Sequence, residues 1–346
     1  MSEQPIIRME NVSKTYPVGR RLPFLPKRHL TAVDEVSLEI HARETIGVIG
    51  ESGCGKSTLG RVLAGLEKPT EGTVYFDGTD VSTLDASQRR EMRRSIQVVF
   101  QDPAGSLNPR KTVQEIVGEP FEIHPDLAPA EERHSRVLKL LETVGLQPEH
   151  AERRPHEISG GQQQRVGIAR ALAVEPRLIV CDEAVSALDV SVRAQVVNLL
   201  RELQEKFGLA YLFIAHDLQV VRNIAHRVMV MYLGQVVEIG DAHEIYEDTA
   251  HPYTNALLAA APELRYAGQV RSAELVDGDP PTPLNPPQGC RFHTRCAYAT
   301  QECLKQPPLE EFRPGHHAAC FYSDTVNQSA FRPEIESGAR EEQRHG

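Results

Sequence analysis

The stretch from Ser159 to Asp189 contains, in order, Ser159-Gly160-Gly161-Gln162, Leu178-Ile179-Val180-Cys181-Asp182-Glu183 and Ser186-Ala187-Leu188-Asp189. It lies well downstream of a glycine-rich stretch, Gly50 to Ser57. Glycine-rich loops that lead into helices bind phosphates through backbone amides, and an acidic pair that closes an apolar strand brings carboxylates to a sheet edge. The order of these pieces predicts an α/β nucleotide-binding fold with a parallel core sheet.

Length and composition limit the classes of protein that fit. The 346 residues predict two units, because single cores rarely grow beyond about 250–300 residues. No run approaches the roughly 18 apolar residues of a membrane span, and Met1 to Pro5 lacks the features of a secretory signal, so we expect a cytosolic location. A net charge of -10 disfavours a nucleic-acid partner, because nucleic-acid binding needs a basic face.

The hydrophobic pattern predicts the order of elements. Alternating positions from Ile6 to Glu39 predict antiparallel strands, and helical spacing predicts helices at Lys56–Leu66 and Ala194–Phe207 and a helical insertion at about 106–157. Short apolar runs predict buried strands, at Thr45–Ile49, Leu178–Glu183 and Tyr211–Ala215.

A basic, proline-broken run lies between the first two predicted strands. It comprises Arg20, Arg21, Lys27, Arg28 and His29. We interpret it as a solvated hairpin insertion, since charge runs are usually solvated. Contact with a membrane surface or with nucleotide is the alternative.

The glycine-rich stretch matches the phosphate-loop template at every position. Its residues are Gly50, Glu51, Ser52, Gly53, Cys54, Gly55, Lys56 and Ser57. The glycines let backbone amides turn inward around phosphates at the start of a helix, whose positive end faces them. We expect Lys56 to reach the β and γ phosphates and Ser57 to give an oxygen to Mg²⁺.

The acidic pair at the end of the second predicted strand has two roles in this interpretation. Asp182 reaches the Mg²⁺ shell, and Glu183 is the candidate base for the attacking water. Adjacent carboxylates at a strand end are common, so the prediction depends on the complete phosphate loop beside them. We interpret Cys54 and Cys181 as structural thiols, because a small buried thiol suits both positions.

Ser159-Gly160-Gly161 opens a predicted helix, so its free amides form a second anion site. With these motifs, residues Ile6 to about Gly240 resemble an ATP-binding-cassette (ABC) transporter ATPase. The resemblance implies a head-to-tail dimer in which each phosphate loop faces the serine-glycine loop of the other chain. The resemblance also implies roles for single residues: Tyr16 stacks on adenine, and Gly50 to Thr58 hold the phosphates. Gln101 senses the γ phosphate and Mg²⁺ and couples the site to the permease. Ser159 to Gln162 contact the partner's ATP, and the site is completed by Asp182, Glu183, Asp189 and His216.

The narrower resemblance is to the ATPases of oligopeptide/dipeptide and nickel importers. It depends on Cys181 to Ser191, on His251-Pro252-Tyr253-Thr254 and on Pro286-Pro287-Gln288-Gly289-Cys290-Arg291-Phe292-His293. It implies Mg²⁺-ATP as cofactor, a second ATPase subunit that is a paralogue, two transmembrane permeases and an extracytoplasmic peptide-binding protein. The location that it implies is the cytoplasmic face of the inner membrane, where the chain is peripheral. A nickel or other small-solute importer is the alternative substrate class, and a soluble ABC ATPase acting on ribosomes or DNA is the alternative function.

Composition changes after about Gly240, so we expect an ATPase domain at 1–240, a small loop-rich domain at 241–323 and a disordered tail at 324–346. The proline-rich segment from Asp279 to Pro287 predicts a stiff extended connector. The second domain contains four cysteines: Cys290, Cys296, Cys303 and Cys320.

In a cytosolic chain such a cysteine group favours metal over disulfides. Its spacing fits neither common zinc ribbons nor ferredoxins. The family resemblance favours a 4Fe–4S cluster over structural zinc, and unliganded thiols are the remaining alternative. His293, His316 and His317 are candidate substitute ligands, although we expect them to be surface residues.

Overall fold

The computed structural model describes residues 4–18, 28–261, 269–271 and 281–333. The chain divides into two units, Met1–Val236 and Val237–Gly346, whereas the sequence predicts a boundary at 240. Arg20, Arg21 and Lys27 of the basic run lie outside the described residues.

The first unit begins with an antiparallel sheet. Its strands are β1 (Ile7–Val18), β2 (Arg28–Ile40), β4 (Glu71–Phe76) and β5 (Thr79–Asp80), in the order β2-β1-β4-β5. β1 pairs with β2 from Ile7 opposite Ile40 to Val18 opposite Arg28. The alternating pattern is explained by burial, since Ile7, Met9 and Val12 face the core. The predicted antiparallel strands are confirmed.

A parallel sheet forms the centre of the first unit. Its strands are β3 (Thr45–Ile49), β6 (Ile96–Val99), β7 (Leu178–Asp182), β8 (Ala210–Ile214) and β9 (Arg227–Tyr232). They are ordered β9-β3-β8-β7-β6, and every neighbouring pair is parallel. β3, β7 and β8 are buried along their whole length, which explains their unbroken apolar sequences. Because the strands are parallel, their carboxyl ends meet at one edge.

Helices flank this sheet: α1 (Lys56–Leu63), α2 (Ala86–Ser95), α6 (Gly160–Leu172), α7 (Val190–Phe207) and α8 (Leu218–Ile224). α1 ends earlier than the predicted Leu66, because Gly65 adopts a left-handed conformation with φ 67° just after it. α7 begins earlier than the predicted Ala194 and ends at Gly208, whose φ is 69°.

The predicted helical insertion is present. It contains α3 (Pro103–Ser106), α4 (Val113–Ile123) and α5 (Arg133–Thr143), with 3-10 turns at Ala130–Glu132, Pro148–His150 and Pro155–Glu157. Thr112 and Glu115 form a reciprocal capping box that fixes the start of α4. α4 and α5 both contact α6. The insertion therefore packs on the helix that follows Ser159.

The second unit is small and mixed. Its elements are β10 (Gln235–Asp241), α9 (Ala242–Glu247), α10 (Pro252–Ala259), β11 (Gln269–Arg271), β12 (Glu310–Arg313), β13 (His316–Ala318), α11 (Ser323–Ala330) and β14 (Phe331–Pro333), with 3-10 turns at His293–Arg295 and Gln301–Leu304. β13 lies between β10 and β12 and is antiparallel to both. β11 and β14 form a second antiparallel pair.

Two sequence expectations for this unit are wrong. The tail was expected to be disordered from 324, but α11 and β14 occupy its start, because Val326 is fully buried and anchors the helix. The connector was expected to be extended, but Asn285 N donates to Thr282 O (3.2 Å) and forms a turn within its described part. Residues 334–346 and 279–280 lie outside the described residues.

Candidate active site

The loop between β3 and α1 forms a cradle of backbone amides. Gly50 and Gly55 have φ of 148° and 109°, which other residues rarely adopt. A Cβ at Gly50 would lie 2.2 Å from Met231 O, and one at Gly55 would lie 1.9 Å from Ala32 O. Only glycine fits either position. The loop therefore packs tightly on its own unit while its amides lie at the amino end of α1, where an anion is favoured.

Lys56 is held on this loop. Its ammonium donates to Gly50 O (2.7 Å) and Glu51 O (2.9 Å), and the residue is only 5% exposed. Cys54 lies beside it, and burial raises the pKa of the Cys54 thiol. Burial also raises the pKa of Cys181 to about 12. Both thiols are therefore protonated at neutral pH, which agrees with a structural role for them.

Ser57 and Asp182 meet across the sheet edge. Ser57 Oγ donates to Asp182 Oδ1 (2.6 Å), and Asp182 is 7% exposed at the carboxyl end of β7. A hydroxyl and a carboxylate beside a phosphate cradle are the hard oxygen ligands that Mg²⁺ uses together with substrate phosphates.

Glu183 has the most strained backbone at this edge. Its φ is 49°, an uncommon value for a residue with a side chain, and its N–H donates to Ile214 O (3.0 Å). Its Oε2 accepts a hydrogen bond from Gln101 Nε2 (2.7 Å) and lies 3.9 Å from His216 Nδ1. The structure therefore brings Gln101, Glu183 and His216 together from the ends of β6, β7 and β8.

Tyr16 lies on the α1 side of the loop. Its hydroxyl donates to Glu67, and Lys14 Nζ lies 5.2 Å from the centre of its ring. Burial and the bond to Glu67 raise the pKa of the hydroxyl, whereas a bond with Thr58 lowers it. Tyr16 is thus next to Thr58, the last residue of the sequence-predicted phosphate site. The sequence analysis missed Glu67, which carries no local motif.

A second group of predicted site residues surrounds the start of α6. Ser159 and Gln162 form a capping box, and Gln162 Nε2 contacts His150 Nε2 (2.9 Å). Ser159 and Gly160 are exposed, and a Cβ at Gly161 would lie 2.4 Å from Val192 Cγ1. The start of α6 is therefore exposed to solvent at Ser159 and Gly160 and packs against α7 at Gly161.

Asp189 is the N-cap residue of α7, and it is exposed. Its side chain makes no capping hydrogen bond to the helix, so its carboxylate is available for another contact. Val190, the next residue, is 80% exposed although it is apolar.

Arg193 and Asp217 were not predicted as site residues. Arg193 NH1 donates to Asp217, and Arg193 NH2 donates to Leu188 O (3.2 Å). The available signals were positional: Asp217 directly follows His216, and Arg193 lies one helical turn after Asp189.

The four C-terminal cysteines lie in one region of the second unit. All are free thiols, and Cys290 N donates to Cys303 O (2.9 Å). Burial, with smaller contributions from the neighbouring Cys296, Cys290 and Cys303, raises the pKa of Cys320 to about 12, although a hydrogen bond from the Tyr322 backbone opposes the shift. Among the described residues, no three or more His, Cys, Asp or Glu side chains are arranged to hold a single metal ion.

Of the three candidate histidines, His316 differs from the expectation of a surface residue, whereas His293 and His317 are half-buried. His316 is fully buried, and its Nε2 contacts Glu238 Oε1 (2.8 Å). Glu238 also accepts from the N–H groups of Ala250 (2.7 Å) and His251 (3.1 Å). A buried carboxylate needs such partners, and His316 supplies one of them. His293 Nδ1 contacts Cys290 O (2.7 Å).

None of the helices within the described ranges combines the length and the apolar character that crossing a membrane requires.

Two family models match separate parts of the chain. The model named ABC transporter matches residues 33–186, which include the glycine loop and Glu183. The model for the C-terminal region of oligopeptide/dipeptide transporters matches residues 237–303, which include Cys290 and Cys303.

Relatives and solved structures agree with these matches. The oligopeptide transport ATP-binding protein AppF of Bacillus subtilis (strain 168) is 50% identical over 322 residues, which is 92% of this chain and 98% of AppF. The dipeptide transport ATP-binding protein DppF of Escherichia coli (strain K12) is 47% identical over 323 residues, which is 93% of this chain and 96% of DppF. The dimeric ATP-binding cassette MJ0796 in a post-hydrolysis state with ADP and Pi is 34% identical with a TM-score of 0.60, over 68% of this chain and 98% of that one.

CbiO1 of Clostridium perfringens, part of the ABC transporter complex CbiONQ, is 28% identical with a TM-score of 0.61, over 70% of this chain and 91% of that one. The fold is therefore that of an ABC ATPase, whose activity is ATP hydrolysis with Mg²⁺. By its motifs and by its identity to relatives along nearly its whole length, the chain belongs to the ABC transporter family and, within it, to the ATP-binding proteins of oligopeptide and dipeptide transporters.

Proposed function

We propose that this chain hydrolyses ATP to drive a membrane importer of oligopeptides or dipeptides. The observation that carries the proposal is the intact constellation at the sheet edge, where Gln101 and His216 flank Glu183 and Ser57 bonds Asp182. A site that had lost hydrolysis would not need all of these side chains. The relatives named for peptide transport favour peptides over nickel or another small solute.

In this proposal each part of the site has a stated role. The amides of residues 50–58 hold the phosphates, and Lys56 leaves its loop carbonyls to pair with the β and γ phosphates. Ser57 and Asp182 would hold Mg²⁺, and Gln101 would supply a further oxygen ligand. Mg²⁺ supplies charge neutralisation between the phosphates when it is bound.

Glu183 is the proposed base. Its carboxylate orients and deprotonates the attacking water, and Gln101 and His216 hold that carboxylate in position. His216 is 57% exposed at its side chain, so it has access to the γ phosphate of a bound nucleotide. Tyr16, beside Thr58, is proposed to stack on the adenine.

The second anion site requires another subunit. Ser159, Gly160 and Asp189 are exposed at the starts of α6 and α7, Gly161 and Gln162 are half-buried beside them, and the Asp189 carboxylate makes no capping hydrogen bond. A head-to-tail dimer would place these groups against the ATP of the partner subunit. We propose a paralogous ATPase as that partner, with two transmembrane permeases and an extracytoplasmic peptide-binding protein, at the cytoplasmic face of the inner membrane.

We also propose that Cys290, Cys296, Cys303 and Cys320 hold a 4Fe–4S cluster. The four thiols lie near one another and none of them is in a disulfide, so four cysteine sulfurs are available as the donor set of an iron–sulfur group. Structural zinc bound by the same thiols is the alternative.

The test of the transport proposal is co-purification. The tagged full-length chain is extracted gently from membranes of the producing cell, and the proteins that accompany it are identified. Two multi-span permeases with a second cassette ATPase would support the proposal. Recovery from the soluble fraction with ribosomes or DNA would overturn it, in favour of a non-transport ABC ATPase.

A further inference from the structure

Arg193 connects two loops that lie at the start of different helices. It sits in the first turn of α7, and its backbone N–H donates to Asp189 O (2.8 Å). Its guanidinium then donates to Leu188 O (3.2 Å) with one amino group and to the Asp217 carboxylate with the other. The planar guanidinium of Arg193 therefore connects the segment before α7 to the segment before α8.

The second carboxylate oxygen of Asp217 is also hydrogen-bonded. Its Oδ1 accepts from the N–H groups of Gln219 (3.0 Å) and Val220 (3.3 Å), so it caps α8. It also directly follows His216, which lies 3.9 Å from Glu183. A displacement of Asp217 is thus transmitted to His216 through a single peptide unit.

We infer that Arg193 is a positioning residue that couples the Leu188–Asp189 segment to His216 through Asp217. The inference rests on the proposed function, because Asp189 and the exposed Val190 face the partner subunit only in the proposed dimer. Closure on a partner that moves Leu188 O pulls on the guanidinium, and the guanidinium moves Asp217 and its neighbour His216. Hydrolysis then depends on the partner being in place.

The burial of the ion pair suits it to this role. The Arg193 and Asp217 side chains are 21% and 26% exposed, so their attraction is only partly screened by water. Arg193 Nε is buried and has no hydrogen-bond partner among the described residues. A buried donor without an acceptor favours a rearrangement that supplies one, and movement of the 186–189 segment is such a rearrangement.

The test compares Arg193→Gln and Arg193→Lys with Arg201→Gln, an exposed arginine on the same helix. In the full-length protein, kcat and KM for ATP and the thermal midpoint are measured for each. We expect Arg193→Gln to lower kcat about tenfold or more, with KM changed less than about twofold and the midpoint close to that of the parent. Lysine can pair with Asp217 but cannot fork to Leu188 O, so Arg193→Lys should retain only part of the rate.

A double-mutant cycle separates coupling from packing. Asp217→Asn keeps an oxygen for the α8 cap but removes the ion pair, and we expect its kcat loss to overlap with that of Arg193→Gln rather than to add. Parental kcat in both Arg193 variants, or additive losses in the cycle, would overturn the inference. ATP-driven dimerisation is measured in the Glu183→Gln variant, and ATP hydrolysis is measured in the parent protein. If both are absent, the proposed function fails, and the inference fails with it.

Discussion

Gln101 Nε2 donates a 2.7 Å hydrogen bond to Glu183 Oε2, joining the loop after β6 to the end of β7. The same oxygen lies 3.9 Å from His216 Nδ1. The carboxylate is therefore held between an amide from one neighbouring strand end and an imidazole from the other. This arrangement orients Glu183, so a substitution of either partner tests what the orientation contributes.

Glu183→Gln should bind ATP and barely hydrolyse it. The amide keeps the shape and size of the side chain but cannot take a proton from water, and a general base contributes about 10²- to 10⁴-fold to a rate. We therefore expect kcat to fall at least about a hundredfold and ATP binding to remain, measured by phosphate release and by nucleotide retention. Glu205→Gln, on an exposed part of α7, is the matched control. Parental turnover in Glu183→Gln would refute the assigned base.

Gln101→Glu should change the pH dependence of turnover. It places a second carboxylate where the amide now donates to Glu183, and two carboxyl groups at that distance raise the pKa of one of them. Because the base must be ionised, we expect the acid limb of the kcat–pH profile to move to higher pH. Gln101→Ala removes the hydrogen bond without adding charge and should lower kcat without that displacement. Identical acid limbs in both variants would contradict the placement of Gln101 against Glu183.

Local sequence patterns were sufficient to predict the phosphate loop, the buried strands and the helical insertion. Gly50 and Gly55 identify a turn that only glycine allows, and the apolar run of β7 identifies a strand buried on both faces. These features depend on neighbours in the chain. They were therefore predictable without tertiary structure.

Contacts between distant positions were not predictable in the same way. The bonds of Tyr16 to Glu67, of Arg193 to Asp217 and of His316 to Glu238 join residues far apart in sequence. Which partner a polar side chain meets is decided by how the elements pack, and no local pattern records it. The order seen at α11 has the same origin, since one buried valine, Val326, anchors a segment whose composition otherwise favours disorder.

The cysteine group predicts a measurable chromophore. Anaerobically purified protein should be brown, absorb broadly in the visible range and contain iron and sulfide. Cys320→Ser should lose most of the iron, because it removes one of four ligands, whereas Cys181→Ala should keep it, because Cys181 lies in β7 of the first unit and is not one of the four. Colourless parental protein that contains zinc instead would refute the cluster and favour the zinc alternative.

His251 makes stability depend on pH in a defined direction. Burial lowers the pKa of His251 to about 3, and its Nδ1 accepts from Tyr253 N (3.1 Å) at the start of α10. The folded protein therefore keeps the ring neutral, while the unfolded chain binds a proton below about pH 6.5. Since the unfolded state binds more protons between these two values, stability falls as pH falls from about 6.5 toward 3.

His251→Asn removes the titration and keeps an oxygen for the cap. Between pH 7 and 5.5 the parent should lose about 1.2 kcal/mol more unfolding free energy than this variant, by linkage from the two pKa values. Denaturant unfolding at both pH values measures the difference, and His243→Asn, at an exposed histidine of α9, is the control. An equal pH dependence for parent and His251→Asn would show that the ring is not held neutral by burial.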